Sequence, residues 1–217
     1  MRLQTTTRFH YIIFNKPFGV LSQFSPMEGF RTLGDFGPFP GDVYPVGRLD
    51  AESEGLLLLT NDNELRHRLT EPRFAHPRTY LVQIERIPSE DALGRLRSGV
   101  LIKGKRTRPA QVSALAAEPD LPPRPIPIRF RKSVPTSWLE ITLTEGRNRQ
   151  IRKMTAAVGH PTLRIVRVQI GTVSLRDLEP GDHRSLSGRE VDDLRQGLKA
   201  SLGRPAREDK KRPRRAP

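Results

Sequence analysis

The sequence contains no cysteine, which excludes disulfide staples, thiolate nucleophiles and cysteine-ligated metals. Its five histidines, His10, His67, His76, His160 and His183, nowhere fall at the spacing of metal ligands, so no metal site is expected. Aromatic residues make up only 6% of the chain, with a single tryptophan, Trp138, that reads as core. No apolar run approaches the roughly 20 residues that span a bilayer, and the start Met1-Arg2-Leu3-Gln4 lacks the apolar centre of a signal peptide. These absences predict a cytoplasmic protein, without a membrane partner, that folds by burying its 35% hydrophobic residues.

Negative charge is scarce as well: 24 Asp and Glu face 38 Lys and Arg over 217 residues, a net charge of +14. The segment Lys199–Pro217 holds eight basic and two acidic residues and almost no bulky apolar ones, so it is predicted to be a disordered basic tail. The remainder keeps an excess of eight positive charges and is basic on its own account. Such a balance points to a polyanion, and to nucleic acid over a membrane surface because no basic helix with a bulky apolar face is present.

What is there in quantity is hydrophobic patterning. The stretch Gly47–Thr60 sets Arg48 and Asp50 on a turn-prone segment that runs into Leu56–Leu59, a short uniform apolar run closed by Asn61-Asp62-Asn63. That suits a buried strand. A carboxylate beside a guanidinium at the mouth of a core strand has the makings of a rigidly held catalytic group. An ordinary surface ion pair is the competing reading of these residues alone.

Upstream, Phe9–Phe14 reads as a strand ended by the turn Asn15–Gly19, and residues 22–41 as an irregular loop with a helical turn near Thr32–Phe36. Downstream, a helix is predicted over Asn63–Thr70 with Asn63 as its cap, and a strand over Thr79–Ile87 with Tyr80, Val82 and Ile84 on one face. A helix capped by Ser89 should run to Ser98, followed by Val100–Ile102 and Ala110–Leu115 paired as a hairpin. Five prolines make residues 118–131 an extended loop, whose Arg124, Arg129 and Arg131, with Lys132, suit an RNA backbone. Strands are predicted over Trp138–Leu143, Leu163–Ile170 and Thr172–Leu175, a helix over Asn148–Val158, and a last helix over Gly188–Gly197. Arg149, Arg152 and Lys153 crowd the start of the helix at Asn148, where the peptide dipole already favours anions. The arrangement makes sense if an anion docks there, a phosphate or an acidic side chain.

Taken in order, Tyr11-Ile-Ile-Phe-Asn-Lys-Pro-Phe-Gly19, Gly47–Thr60, Arg78-Thr-Tyr80, Glu145-Gly-Arg-Asn-Arg-Gln-Ile-Arg-Lys-Met154 and Ile165-Val-Arg-Val-Gln-Ile-Gly171 resemble the motifs of the RsuA branch of pseudouridine synthases. The resemblance covers about Phe9 to Arg184. It implies an α/β (α+β) pseudouridine synthase fold, with a mixed, mostly antiparallel central sheet flanked by helices and two lobes around an RNA cleft. It also implies that the enzyme isomerises uridine to pseudouridine without cofactor, metal or bound nucleotide. Asp50 matches the catalytic aspartate, Tyr80 the tyrosine that packs on the target base, and Arg152 the basic residue that pairs with the aspartate. Ile165 matches a pocket-lining aliphatic residue and Arg48 an arginine that fills the space of the extruded nucleotide. Lys16, Arg149 and Lys153 are expected to bind substrate. Within the branch, the Asn-Lys-Pro-Phe-Gly start and the Arg131–Leu139 stretch are most like enzymes of large-subunit ribosomal RNA, which makes that RNA the expected partner of a monomeric enzyme.

The expected organisation is a flexible leader over 1–8, a catalytic domain over 9–198 without the S4 RNA-binding domain of many relatives, and the basic tail. Whether Asp50 attacks C1′ or C6, or removes a ribose proton, is left open by the residues. The rival readings are a non-catalytic RNA-binding or ribosome-assembly protein, and a synthase for small-subunit ribosomal RNA or transfer RNA. Gly99–Arg106 imitates a phosphate-binding loop but lacks one residue and the Ser or Thr that would hold magnesium.

Overall fold

The computed structural model describes residues 8–128 and 133–202, with side chains as far as residue 198. The leader before Arg8, the residues Arg129, Arg131 and Lys132, and the tail from residue 203 lie outside the described residues.

Strands β1 (Tyr11–Lys16), β2 (Val20–Leu21), β3 (Arg31–Thr32), β4 (Tyr44–Pro45) and β5 (Glu54–Thr60) precede helix α1 (Asn63–Thr70). Strand β6 (Arg78–Glu85), α2 (Glu90–Ser98), β7 (Leu101–Ile102), β8 (Lys105–Arg106), β9 (Gln111–Ala114) and β10 (Thr136–Leu143) lead to α3 (Gln150–Ala157). Strands β11 (Thr162–Ile170), β12 (Val173–Ser174) and β13 (His183–Ser185) then run into α4 (Gly188–Leu202).

The main sheet has the order β13-β1-β5-β11-β6-β10-β9, with β4 added to β5 and β12 to β11. Its pairings are antiparallel except between β5 and β11, which run parallel over two residue pairs, Val166 with Glu54 and Arg167 with Gly55. That seam is short because β4 takes the far end of the same edge, pairing Tyr44 with Thr60 and Pro45 with Leu59.

The apolar run behaves as its composition dictates. All seven residues of β5 are buried, and alternate side chains enter opposite cores. Leu56 and Leu58 join Leu65 and Leu69 of α1 and Val191 and Leu194 of α4, whereas Leu57 and Leu59 join Leu33, Val43 and the rings of Phe24, Phe36 and Phe39. The phenylalanine-rich loop thus seals one face of the β1-β5 half. On the other half Val82, Ile84, Leu139, Ile141 and Leu143 meet α2 and α3 through Leu93, Leu96, Ile151 and Met154.

Some boundaries differ from expectation. The cap of α1 is Asp62, whose side chain accepts from Leu65 N at 2.9 Å, and Asn63 is the first helical residue. The hairpin forms between β7 and β8 across Lys103-Gly104, and β9 pairs instead with β10. Val112 is buried there, so its strand follows the larger core. Helix α4 continues to Leu202, past the expected start of the tail, because Leu198 is 2% exposed and belongs to the core.

Candidate active site

Asp50 opens a turn closed by Ser53 N donating to Asp50 O at 3.0 Å, immediately before β5. Its neighbours on both sides are tied down. Leu49 exchanges two hydrogen bonds with the Ser22 hydroxyl, at 2.8 and 3.0 Å, while Ala51 O accepts from Gly19 N at 2.8 Å and from Lys16 Nζ at 3.4 Å. The half-exposed Asp50 side chain lines a cavity of about 740 Å³ at the seam. Tyr80, Ile165, Arg48, Arg149 and Arg152 line the same cavity, so six of the eight expected site residues come together.

Tyr80 arrives on β6 opposite Arg167 of β11, and Arg167 in turn faces Gly55. Gly55 permits that approach: its φ is +100°, and a Cβ there would lie 2.7 Å from Arg167 N and closer still to its carbonyl oxygen. Three further hydrogen bonds hold the seam. Arg164 grips the buried Glu54 through Nε at 3.0 Å and Nη2 at 2.8 Å, and Arg167 Nε donates to Leu56 O at 2.7 Å. Neither arginine figured among the expected site residues, since nothing in a basic sequence separates a buried, paired arginine from an exposed one.

The basic start of α3 meets an acid, as one of the two sequence readings required. Arg149 adopts the left-handed region at φ 51°, ψ 40°, a conformation that costs an arginine roughly 1 kcal/mol and recurs where function fixes a side chain. Its Nη1 is 3.8 Å from Asp50 Oδ2 and its Nη2 donates to Glu52 Oε2 at 3.0 Å. Arg152, expected to pair with Asp50, instead donates to Glu52 O at 3.1 Å and Thr162 O at 3.3 Å. Burial pulls its pKa down, while Glu52 and then Asp50 pull it up, so the charge of Asp50 is felt without a direct contact.

The other two expected residues do not line the cavity. Lys16 is fully buried and donates to Val20 O at 2.7 Å and Pro17 O at 2.9 Å as well as to Ala51 O, so it braces the Asp50 turn from within. Lys153 turns back onto Asn148 of its own helix start. Among the described residues no cluster of three or more His, Asp or Glu is placed to hold a metal, and no helix is long and apolar enough to cross a membrane.

The cavity at the seam thus gathers a carboxylate on a strand-braced turn, an aromatic ring and several arginines. Residues 10–157 match the RNA pseudouridylate synthase family model, and the chain belongs to that family. It is 54% identical over 182 residues to ribosomal large subunit pseudouridine synthase E of Xanthomonas campestris pv. campestris, covering 83% of this chain and 97% of the relative. The protein of that name from Vibrio vulnificus is 52% identical over 176 residues, covering 81% and 74%. A crystal structure of a pseudouridylate synthase superposes with a TM-score of 0.72 at 28% identity, covering 88% of this chain and 76% of that one.

Proposed function

We propose that the chain converts a uridine of large-subunit ribosomal RNA to pseudouridine, with Asp50 as the catalytic carboxylate. The observation that carries this reading is the anchoring of Asp50 between Leu49 and Ala51, which holds its carboxylate in a cavity shared with Tyr80 and Ile165. The cavity volume lies within the range of about 300–1,000 Å³ usual for small-ligand sites. In the reaction the N1–C1′ bond breaks, a C5–C1′ bond forms, the C5 proton leaves and N1 takes up a proton. No electrons are gained or lost, so the reaction needs no redox cofactor, and the proposed enzyme is a cytoplasmic monomer that works without cofactor or metal.

The target must leave the helical stack, at a cost of a few kcal/mol. Stacking on Tyr80 offsets about 1–3 kcal/mol of this, and Arg48 fills part of the space left behind. Arg149 faces Asp50 directly, and Arg152 supports the aspartate from the next turn of the helix. The relatives named for large-subunit ribosomal RNA support that substrate over small-subunit or transfer RNA.

The test is tritium release from C5-tritiated uridine in large-subunit ribosomal RNA, with small-subunit RNA as control. Asp50→Asn should lower release at least about 10³-fold while leaving thermal stability and RNA binding nearly unchanged. Turnover retained in that variant would overturn the role of Asp50. Binding without release in the wild type would favour the non-catalytic reading.

A further inference from the structure

Three carboxylates line the cavity, Asp50, Glu52 and Glu145. Glu145 is fixed and buried: Oε1 accepts from Arg108 N at 2.9 Å and Gln150 Nε2 at 2.7 Å, and Oε2 from Arg147 Nε at 3.1 Å. Asp50 is committed to chemistry. Glu52 is different, with a side chain 54% exposed and two arginines on one oxygen, Arg149 Nη2 at 3.0 Å and Arg152 Nη2 at 3.8 Å. It is the solvent-facing acid that a polyanion entering this cavity has to confront.

We propose that Glu52 is an internal substitute for an RNA phosphate, occupying Arg149 and Arg152 in the free enzyme and giving way when a backbone phosphate of the substrate arrives. The proposal rests on the RNA substrate proposed above. Geometry favours the exchange over collapse of the site. Arg149 keeps its contact with Asp50, Nη1 lying 3.8 Å from Oδ2, and Arg152 keeps its bonds to the carbonyls of Glu52 and Thr162, so both guanidinium groups retain a partner when the Glu52 side chain swings out. A phosphate then offers each planar fork a doubly bonded partner, whereas an exposed carboxylate pair is weakly held.

Glu52→Gln should lower the Kd for a large-subunit ribosomal RNA fragment about three- to tenfold at low salt, the effect of one charge at contact distance in water. It should also steepen the slope of log K against log salt by up to about 0.7, because in the wild type the displaced carboxylate takes up a cation that offsets one released from the RNA. Glu64→Gln removes the same charge from an exposed residue of α1 outside the cavity and should change Kd by less than about twofold. In an Arg149→Gln background the gain from Glu52→Gln should largely vanish, since the two act through one contact. Weaker or unchanged binding in Glu52→Gln, or an equal gain in Glu64→Gln, would overturn the proposal. The readout is binding alone, so a failure of the isomerase reading in the tritium assay is seen separately.

Discussion

Lys16 carries its ammonium inside the core with three carbonyl oxygens around it. Burial pushes its pKa down to about 7, against the opposing pull of Glu54, with Arg167 lowering it further and Asp50 raising it. In the unfolded chain the group titrates near 10.4. Between those values the unfolded chain holds a proton that the folded one has shed, so the contribution of Lys16 to stability rises with pH across that window. Relative to Lys16→Met, the wild type should gain about 2–3 kcal/mol of unfolding free energy from pH 7 to pH 9.5, measured by urea titration. A constant difference would show that Lys16 keeps one protonation state throughout. The sequence made Lys16 visible as a motif residue but not as a buried one, because a lysine's default is solvent and only the closing of β1 on β5 removes it. Asp50 drew notice because it stands at the mouth of a uniform apolar run, whereas Tyr80 and Ile165 entered through the resemblance of their motifs, and all three line the cavity. Glu52 was missed although it lies two residues from Asp50, since its significance is the arginines brought to it from about a hundred residues away.

At the scale of elements, the weak join is also the indispensable one. Only two residue pairs link β5 to β11, and Gly55 lets them approach. Gly55→Ala meets both left-handed strain and the backbone of Arg167, so it should destabilise the protein by at least about 2 kcal/mol and lose activity in step. Gly94 lies within α2 with open space where a Cβ would go, and Gly94→Ala should stabilise by about 0.5–1 kcal/mol. Thermal or urea unfolding of the pair checks both signs. The long elements were readable in the sequence. β5 and β10 follow from uniform and alternating patterns, and Ser89 caps α2, accepting from Ala92 N at 3.2 Å. The error at Ala110–Leu115 is instructive. Local spacing favoured a hairpin with Val100–Ile102, but the edge of β10 offered Val112 a buried place that no short hairpin supplies.

For the whole molecule, charge is the property that the sequence states most directly. Residues 203–217 hold seven basic and two acidic residues, so their removal takes five of the fourteen net positive charges without touching α4. We expect truncation after Leu202 to weaken RNA binding mainly at low salt and to reduce the salt slope, with turnover at saturating RNA unchanged; an unchanged slope in filter-binding titrations would show that the tail makes no contact with RNA. The sheet is assembled from distant segments: β1 pairs with β13 across residues 12–14 and 183–185, and β5 meets β11 across residues 54–55 and 166–167. A chain emerging from a ribosome at about 5–20 residues per second therefore exposes Asp50 some 6–23 seconds before Ile165 exists to complete the pocket. Through that interval the nascent chain carries Asp50 without the far wall of its cavity, which can close only late in synthesis.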